Sequence, residues 1–444
     1  MKRIILSAIS VSIFAGAWAE GYQVNTLSAK QGGMAHTGVA QKLESESMFF
    51  NPAGMAFMEK TMSFSASINA LAPSVNATID GKDYSNASKV STPFMASLGF
   101  SIYDNLKAGV AMYIPYGSNI DWGENWPGAV LNQNVDLKSY TIQPTISWRI
   151  TPKLSVGAGL MMSWGNVDLN KGLIDAVTFG KMVSAQTGVP YTDNATPASV
   201  NINGTAQVCW GANVGVYYDI NKKWSVGASF RTEQKLKVKT GDATVSYSSE
   251  LAQQLLGSRL NVINSQFKSS MPMPWVLSLG TTYRPIDKLK LAFDMQLTGW
   301  KTYKQLDIEF LSTEAEKYNQ HIAKNYHNSF TFRLGGEYAL TNRFDVRAGF
   351  IVDLPPVDKN RYNPETPAMT KLEPSAGFSF RPIQNLSIDL CVLYVHGTGV
   401  KNVKCTYEDK LAEMIPALGS PLKTLTADYK LHALSGALGI SYSF

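Results

Sequence analysis

The sequence predicts an all-β protein, a transmembrane antiparallel β-barrel of about 14 strands with an N-terminal hatch that plugs its lumen. Three observations lead to this prediction. The chain ends in a segment, Leu431 to Phe444, that alternates large and small side chains. Alternating runs of roughly 9–11 residues, the length that a tilted strand needs to cross a bilayer, recur along the chain. Short turns alternate with long connections, as at the two ends of an outer-membrane barrel.

The beginning of the chain has the pattern of an export signal. Lys2 and Arg3 precede an apolar stretch, and Ala17-Trp18-Ala19 has the A-x-A form of a cleavage site. We therefore expect a signal peptide at 1–19, a hatch at 20–60 and a transmembrane barrel with long extracellular loops at 61–444.

Composition agrees with a barrel and argues against nucleic-acid binding. The mean hydropathy of −0.09 suits a wall in which only alternate residues meet lipid. No later run approaches the roughly 18 apolar residues of a spanning helix. The net charge is +6, but the Lys and Arg residues are scattered rather than clustered.

Six pairs of alternating runs are joined by connectors that contain Asn, Asp or Pro, which hairpin turns favour. A first strand near 62–70 and a last strand near 431–444 bring the number to about fourteen, the even count that a closed barrel needs. The pairs are 94–103 with 106–113, 140–150 with 154–162, 208–220 with 224–230, 275–284 with 289–297, 330–340 with 344–352, and 375–380 with 386–394. The long connections are 71–92, 117–136, 170–204, 239–270, 308–326, 354–372 and 397–430.

Side-chain parity places several charged residues on the inward face of the wall. Arg231, Arg333 and Arg347 are candidates for binding a carboxylate, because a cation among small or apolar side chains attracts such a group. The same parity turns further charged residues inward: Lys235, Glu233, Asp294, Glu337 and Asp345. A second interpretation is therefore a set of opposite charges that neutralise one another and hold the wall to the plug.

Residues for catalysis or metal binding form no recognisable pattern. The sequence lacks a nucleophile elbow, a zinc-protease helix motif and a phosphate-binding loop. Cys209 and Cys391 fall in predicted strands and Cys405 in a predicted loop, without metal-ligand spacing. We expect no enzyme activity, no cofactor and no metal site.

The segment before the first strand is rich in small residues and contains two aromatic residues followed by a turn. Aromatic side chains beside a Pro/Gly turn indicate packing, so the segment is predicted to lie in the lumen as a plug. The alternative is a disordered periplasmic tail. The residues that carry this prediction are Phe49, Phe50, Asn51, Pro52, Ala53 and Gly54.

Two long outer connections contain apolar residues at roughly helical spacing. Such exposed apolar groups are typical of a binding surface, here a hydrophobic groove. The alternative is that the two loops pack on each other. The residues are Leu173, Ile174, Val177, Phe179 and Met182 in the first loop, and Leu251, Leu255 and Leu256 in the second.

Several of these segments resemble the FadL family of outer-membrane transporters for long-chain fatty acids and other hydrophobic compounds. Phe49–Met55 is similar to the family's hatch, and Trp122-Gly123 to its second outer loop. Gln143–Trp148 and Leu154–Leu160 are similar to its fourth and fifth strands. The resemblance covers essentially the whole chain after the signal.

The resemblance implies a barrel of about fourteen strands with a small hatch. It also implies capture in a groove between the third and fourth outer loops, transfer to an inner pocket, and sideways release beside a kinked third strand. In this sequence that strand would be Leu106–Tyr116, where Gly109 and Pro115 are candidates for the kink.

The function implied by the resemblance is passive, ligand-gated uptake of long-chain fatty acids or other hydrophobic compounds in a bacterial outer membrane. Its partners would be such a small molecule, outer-membrane lipid and lipopolysaccharide, and no nucleic acid. Three alternatives stay open: a channel for aromatic hydrocarbons in the same fold, an adhesin, and a lipase barrel. A cation in the inner pocket favours fatty acids, and a pocket without one favours hydrocarbons.

Overall fold

A computed structural model describes residues 21–191, 193, 195–358 and 361–444, so the predicted signal peptide lies outside the described residues. The strands are β1 Met62–Ile79, β2 Lys82–Ser85, β3 Phe94–Tyr103, β4 Leu106–Tyr113, β5 Gly117–Asp121, β6 Asn134–Arg149, β7 Leu154–Gly172, β8 Ala198–Asp219, β9 Trp224–Arg231, β10 Gln234–Tyr247, β11 Ser265–Met273, β12 Val276–Ile286, β13 Leu289–Thr298, β14 Gln305–Phe310, β15 Gln320–Ala323, β16 Ser329–Ala339, β17 Phe344–Asp353, β18 Lys371–Ile383, β19 Leu386–Gly397, β20 Val400–Glu408 and β21 Leu422–Ser443.

The helices are short, and none of them forms part of the barrel wall. The α-helices are α1 Ala29–Gly32, α2 Ser47–Phe50, α3 Ala176–Thr187, α4 Glu250–Leu260 and α5 Lys410–Met414. A 3₁₀ helix at Pro52–Phe57 follows α2. Within the described ranges, no helix combines the length and the apolar character that crossing a bilayer would require.

The strands form one antiparallel sheet that closes on itself. β1 pairs with β21 from Ser63↔Ser443 to Thr78↔Asp428, which joins the first strand to the last. Some spanning strands consist of two segments, such as β4 with β5 and β9 with β10. The result is the closed 14-strand barrel that the sequence predicted, in which every strand finds a neighbour inside the lipid.

The outer connections contain more strand than the sequence indicated. β7 and β8 stay paired from Leu154↔Tyr218 to Gly172↔Ser199, far beyond the predicted end at residue 162. β20 lies within a connection predicted as a loop, so Cys405 is in a strand, not in a loop as predicted. These extensions rise above the lipid, and their outward residues are polar, so the apolar alternation that marks a spanning strand is missing.

Inward and outward faces follow the predicted alternation in the spanning strands. On β7, for example, Leu160 is 50% exposed whereas Met161 is 4% exposed. Lys235 is an error of the prediction, because it is exposed on the outer face of β10. The break between β9 and β10 at Thr232-Glu233 resets the parity there.

Residues 21–60, the N-terminal segment, contact the inward face of the wall. An added Cβ on an inward glycine of β7, β8 or β9 would overlap Pro52, Asn51 or Val39 of this segment. Glycines of β16, β17 and β18 make equally close approaches to residues 33–35. Small inward side chains therefore provide the room that the N-terminal segment occupies.

Candidate functional site

The third spanning strand is broken beside its neighbour. β4 ends at Tyr113 and β5 begins at Gly117, and both pair with β6. β3 begins at Phe94, so β5 extends past the end of β3. Pro115 lies in the break, where its missing N–H removes a ladder hydrogen bond.

Gly109 is not at this break, in contrast to the expectation from the sequence. It lies inside the uninterrupted β4, opposite Gly99 and Thr145. A Cβ at Gly109 would lie 2.9 Å from Met48 Sδ. The glycine therefore makes room for the N-terminal segment instead of bending the strand.

The first described residues of the chain pair with the break. The Val24 N–H donates to Pro115 O at 2.9 Å, and the Gly117 N–H donates to Tyr22 O at 2.8 Å. Gln23 and Tyr116 form the antiparallel bridge between these two bonds. Residues 22–24 thus supply the backbone partners that β3 does not. The sequence analysis missed this contact because no local pattern marks it.

A cavity of about 380 Å³ lies beside the break. Its lining includes Pro73 and Val395, which face the lumen, and Phe94 and Tyr140, which lie on the outward parity of β3 and β6. Tyr140 stacks on Trp164 at 5.8 Å, an aromatic pair of the kind that forms interfacial girdles. Residues from both faces of the wall therefore line one space.

An aromatic cluster surrounds Tyr22. Its ring lies 4.8 Å from Trp300 and 5.9 Å from both Tyr116 and Tyr303, each in an edge-to-face arrangement. Tyr326 contacts Trp300 and Tyr303 from the far side, and the Tyr22 hydroxyl donates to Pro272 O. Sequence reasoning missed this cluster; the spacing of Trp300 and Tyr303 directly after a strand was the available signal.

Arg231 and Arg333 border one small polar cavity of about 30 Å³. The Arg231 guanidinium lies 4.0 Å from the Phe49 ring and donates to Phe49 O. Arg333 donates to Gln296 Oε1 at 3.1 Å and to Asn25 Oδ1 at 3.0 Å. Neither arginine forms an ion pair within the described part of the chain, so both cations depend on neutral acceptors.

His36 and Asp294 complete the border of this small cavity. Burial, together with the Arg333 cation, lowers the pKa of His36 to about 3, so the ring is neutral. The ring nitrogen Nε2 accepts from the Leu27 N–H at 3.0 Å. Asp294 accepts from the N–H groups of Gly38, at 2.6 Å, and Val39, at 3.0 Å, which fixes the N-terminal segment to β13.

Arg347 has a different environment from the other two arginines. It donates to Glu337 at 2.7 Å and lies 3.5 Å from Asp389 and 3.7 Å from Asp345. Three carboxylates surround this one buried cation. The neutralising set of charges that the sequence left open as an alternative therefore fits Arg347, which the structure separates from Arg231 and Arg333.

The turn that follows Phe49 and Phe50 is buried and bonded to the wall. Asn51 Oδ1 caps the 3₁₀ helix at the Ala53 N–H, 3.1 Å away, while its Nδ2 donates to Val39 O at 2.7 Å and to Val216 O at 2.9 Å. Ala53 O accepts from Ser155 Oγ at 2.8 Å. Pro52 and Gly54 are buried beside them.

Most residues of the two apolar loop stretches lie in helices α3 and α4, but Leu173 and Ile174 precede α3. Six of the eight predicted groove residues pack in one apolar cluster with the outer rim of the barrel: Leu173, Ile174, Phe179, Met182, Leu255 and Leu256. Val177 and Leu251 are exposed instead, on the outer sides of their helices. Both loops thus contribute to one apolar cluster at the rim, and a binding groove at this cluster stays a prediction.

A buried polar group joins α3 to the last outer hairpin. Lys423 Nζ lies 2.9 Å from Asp175 and 2.7 Å from Asp409, which are the N-caps of α3 and α5. Burial alone raises the pKa of Asp175, but hydrogen bonds from Lys423, the Thr178 N–H and Tyr407 outweigh it and leave the pKa lowered.

Replacing Lys423 with methionine is expected to loosen the outer cap. The two carboxylates would lose their shared cation, at a cost below the roughly 3–5 kcal/mol of a fully buried pair, because Lys423 is 23% exposed. Limited proteolysis of intact cells should cut the connection after α3 faster than in the parent. The control is Lys404→Met, an exposed lysine on the same hairpin. Equal cleavage rates in the two variants would contradict the prediction.

A closed 14-strand barrel with an apolar outer face defines a bacterial outer-membrane channel protein. The chain belongs to the family described as "Outer membrane protein transport protein (OMPP1/FadL/TodX)", whose model matches residues 10–444. Members of this family are transport channels and not enzymes.

Relatives and solved structures agree with this membership. The long-chain fatty acid transport protein of Escherichia coli K12 is 21% identical over 89% of this chain and 92% of its own length. Outer membrane protein P1 of Haemophilus influenzae is 24% identical over the full length of both. A Pseudomonas aeruginosa FadL homologue shares the fold with a TM-score of 0.79 at 18% identity, covering 96% of this chain and all of its own. The Ralstonia pickettii toluene transporter TbuX has a TM-score of 0.67 at 18% identity, covering 95% and 99%.

Proposed function

We propose that this protein takes up long-chain fatty acids or other hydrophobic compounds by passive, ligand-gated diffusion. Solute would enter at the outer loops, cross the upper lumen and leave sideways through the break at Pro115. The observation that carries the proposal is the cavity of about 380 Å³ lined from both faces of the wall. Its volume falls within the roughly 300–1,000 Å³ of ligand pockets.

A sideways exit has a physical advantage over a water-filled pore. An apolar solute gains free energy when it leaves water, and the loss on returning to water would oppose transport into the periplasm. Release at the level of Phe94 and Tyr140 would deliver the solute directly to the hydrocarbon. The apolar residues of α3 and α4 would serve as the first contact at the outer surface.

The N-terminal segment would act as the hatch of this channel. Tyr22, Gln23 and Val24 are bonded to the break, whereas Asn51 and the residues after it are bonded to the wall. Movement of the first residues alone would open a path along the cavity. The turn at 51–54 would then keep the rest of the hatch seated.

Arg231 and Arg333 favour a carboxylate at the inner end of the path. Arg333 is buried and Arg231 is half-buried, both border the same small cavity, and neither forms an ion pair among the described residues, although Asp294 lies opposite Arg333 on the adjacent strand. A carboxylate headgroup would supply the missing counter-charge. Arg347 is excluded from this role because Glu337, Asp345 and Asp389 already neutralise it.

Replacing both Arg231 and Arg333 with glutamine is expected to weaken uptake of fatty acids but not of hydrocarbons. A lost charge-assisted hydrogen bond costs about 1.5–3 kcal/mol, which corresponds to roughly tenfold or more in affinity. Uptake of radiolabelled oleate and toluene by the same cells separates the two cases. Equal losses for both solutes would contradict the carboxylate role.

Aromatic hydrocarbons are the second candidate substrates. The observation in their favour is the cluster around Tyr22, where Trp300, Tyr116 and Tyr303 surround a phenol ring edge-to-face. Such geometry suits an aromatic ligand that replaces Tyr22. The toluene transporter TbuX, which has the same fold, supports this alternative.

The direct test of the proposed function is uptake by cells whose own hydrophobic-solute channels have been deleted. Cells that express this protein should take up oleate or toluene faster than cells that do not. Surface expression is confirmed by heat-modifiable mobility of the folded barrel. Equal uptake of both solutes with and without the folded protein would overturn the proposal.

A further inference from the structure

Three lysines alternate along the outward face of β10. Lys235, Lys237 and Lys239 are exposed, whereas Leu236 and Val238 between them are buried in the apolar core. Residues on one face of a strand are about 7 Å apart along its axis. We call these three residues the lysine row.

Among the described residues the lysine row forms no ion pair, and Asp307 of β14 interacts with Lys235 only from beyond ion-pair distance. No carboxylate of the described residues lies within ion-pair distance of the three ammonium groups. Lys268 on the adjacent β11 is already paired with Glu309 at 2.8 Å. Like charges so close together repel one another, so an external anion would stabilise the row.

The height of the row on the barrel indicates which anion can reach it. Lys237 lies opposite Gln207 of β8 and Ser270 of β11. Only three residues below Gln207, Trp210 is 58% exposed on the outer face, with exposed Val208 beside it. In this antiparallel register Lys235 lies level with Val208 and Trp210, so the row begins at the aromatic girdle and rises from it through the depth of the lipid headgroups.

We propose that the lysine row, with Gln207 and Ser270, binds the phosphate groups of lipopolysaccharide in the outer leaflet. Lysine ammonium groups bind phosphate as point charges, while the amide and hydroxyl provide neutral hydrogen bonds. The acyl chains of the same lipid would lie against Trp210 and Val208 below. An outer-membrane barrel holds its anionic lipids at this height, so both parts of the lipid meet matching chemistry.

Native mass spectrometry of the purified full chain tests the proposal. The probe is lipid A with its two phosphates, compared with the same lipid after its phosphates are removed. The test variant is Lys235→Gln/Lys237→Gln/Lys239→Gln. The matched control removes three exposed lysines away from the row, as Lys82→Gln/Lys89→Gln/Lys181→Gln.

The expected result is a loss of roughly tenfold or more in lipid A affinity for the test variant, and a change within about twofold for the control. Dephosphorylated lipid should bind the parent as weakly as lipid A binds the test variant, and added NaCl should weaken only the phosphate-dependent part. Equal loss in test and control variants, or equal binding of both lipids by the parent, would overturn the proposal. If the triple variant does not fold, Lys237→Gln is measured in the same way.

Discussion

A disulfide that links residues 22–24 to the break between β4 and β5 is expected to stop uptake. Gln23→Cys and Tyr116→Cys place two thiols at the antiparallel bridge that lies between the bonds of Val24 with Pro115 and Gly117 with Tyr22. Such non-hydrogen-bonded pairs have Cα atoms about 4.5 Å apart, within reach of a disulfide. Transport that needs this contact to open should fall roughly tenfold or more on oxidation and return on reduction.

Uptake of radiolabelled oleate or toluene, measured before and after a reductant, gives the answer. Each single cysteine variant is a control. It lacks the Tyr116 ring or the Gln23 amide, as the double variant does, and keeps the native thiols Cys209, Cys391 and Cys405, but it cannot form the new disulfide. Undiminished uptake with the disulfide formed, as verified by mass spectrometry, would show that the solute does not pass this contact.

Replacing Gly215 with leucine is expected to unseat the N-terminal segment and open the barrel to water. A Cβ at Gly215 would overlap Asn51 Oδ1, and the larger side chain cannot avoid the buried turn. Overpacking of this kind costs about 1–3 kcal/mol. The N-terminal segment can relieve this strain by moving away from the barrel wall. A barrel of this width without a plug leaves an aqueous channel, so ion conductance in planar bilayers should rise several-fold.

Gly436→Leu is the matched control for this conductance experiment. Gly436 is on the outward face of β21, and an added Cβ there meets no atom within 4 Å. Its conductance should equal that of the parent. A folded Gly215→Leu barrel with parental conductance would contradict the role of the N-terminal segment as a hatch.

The barrel could be predicted because its strands and turns are set by short-range sequence patterns. The alternation that ends at Phe444, and turns such as Asp104-Asn105, record in sequence which side of each strand meets lipid and where hairpins close. The extensions above the bilayer were hidden for the same reason. The outward face of β7 and β8 is polar there, as at Asn166 and Asp168, while the inward face packs in the apolar core, so the apolar-outward alternation of a spanning strand is missing.

The candidate site was less predictable because it depends on contacts between distant parts of the chain. Tyr22 meets Trp300 and Tyr116 only after the barrel has closed, and no spacing in the sequence relates these three residues. Parity placed Arg231 and Arg333 inward correctly, but it could not show which carboxylates would reach Arg347. Lys235 was misplaced because the parity reset between β9 and β10 is a backbone feature without a sequence signature.

Photo-crosslinking shows whether the solute passes through the break at Pro115. A long-chain fatty acid with a diazirine at its tail would be irradiated with the protein in outer-membrane vesicles, and the labelled peptides identified by mass spectrometry. We expect labels on residues that line the 380 Å³ cavity, at Leu71, Pro73, 91–94, Ile114 and 117–120. Labels confined to the periplasmic turns, with none at the break, would contradict it.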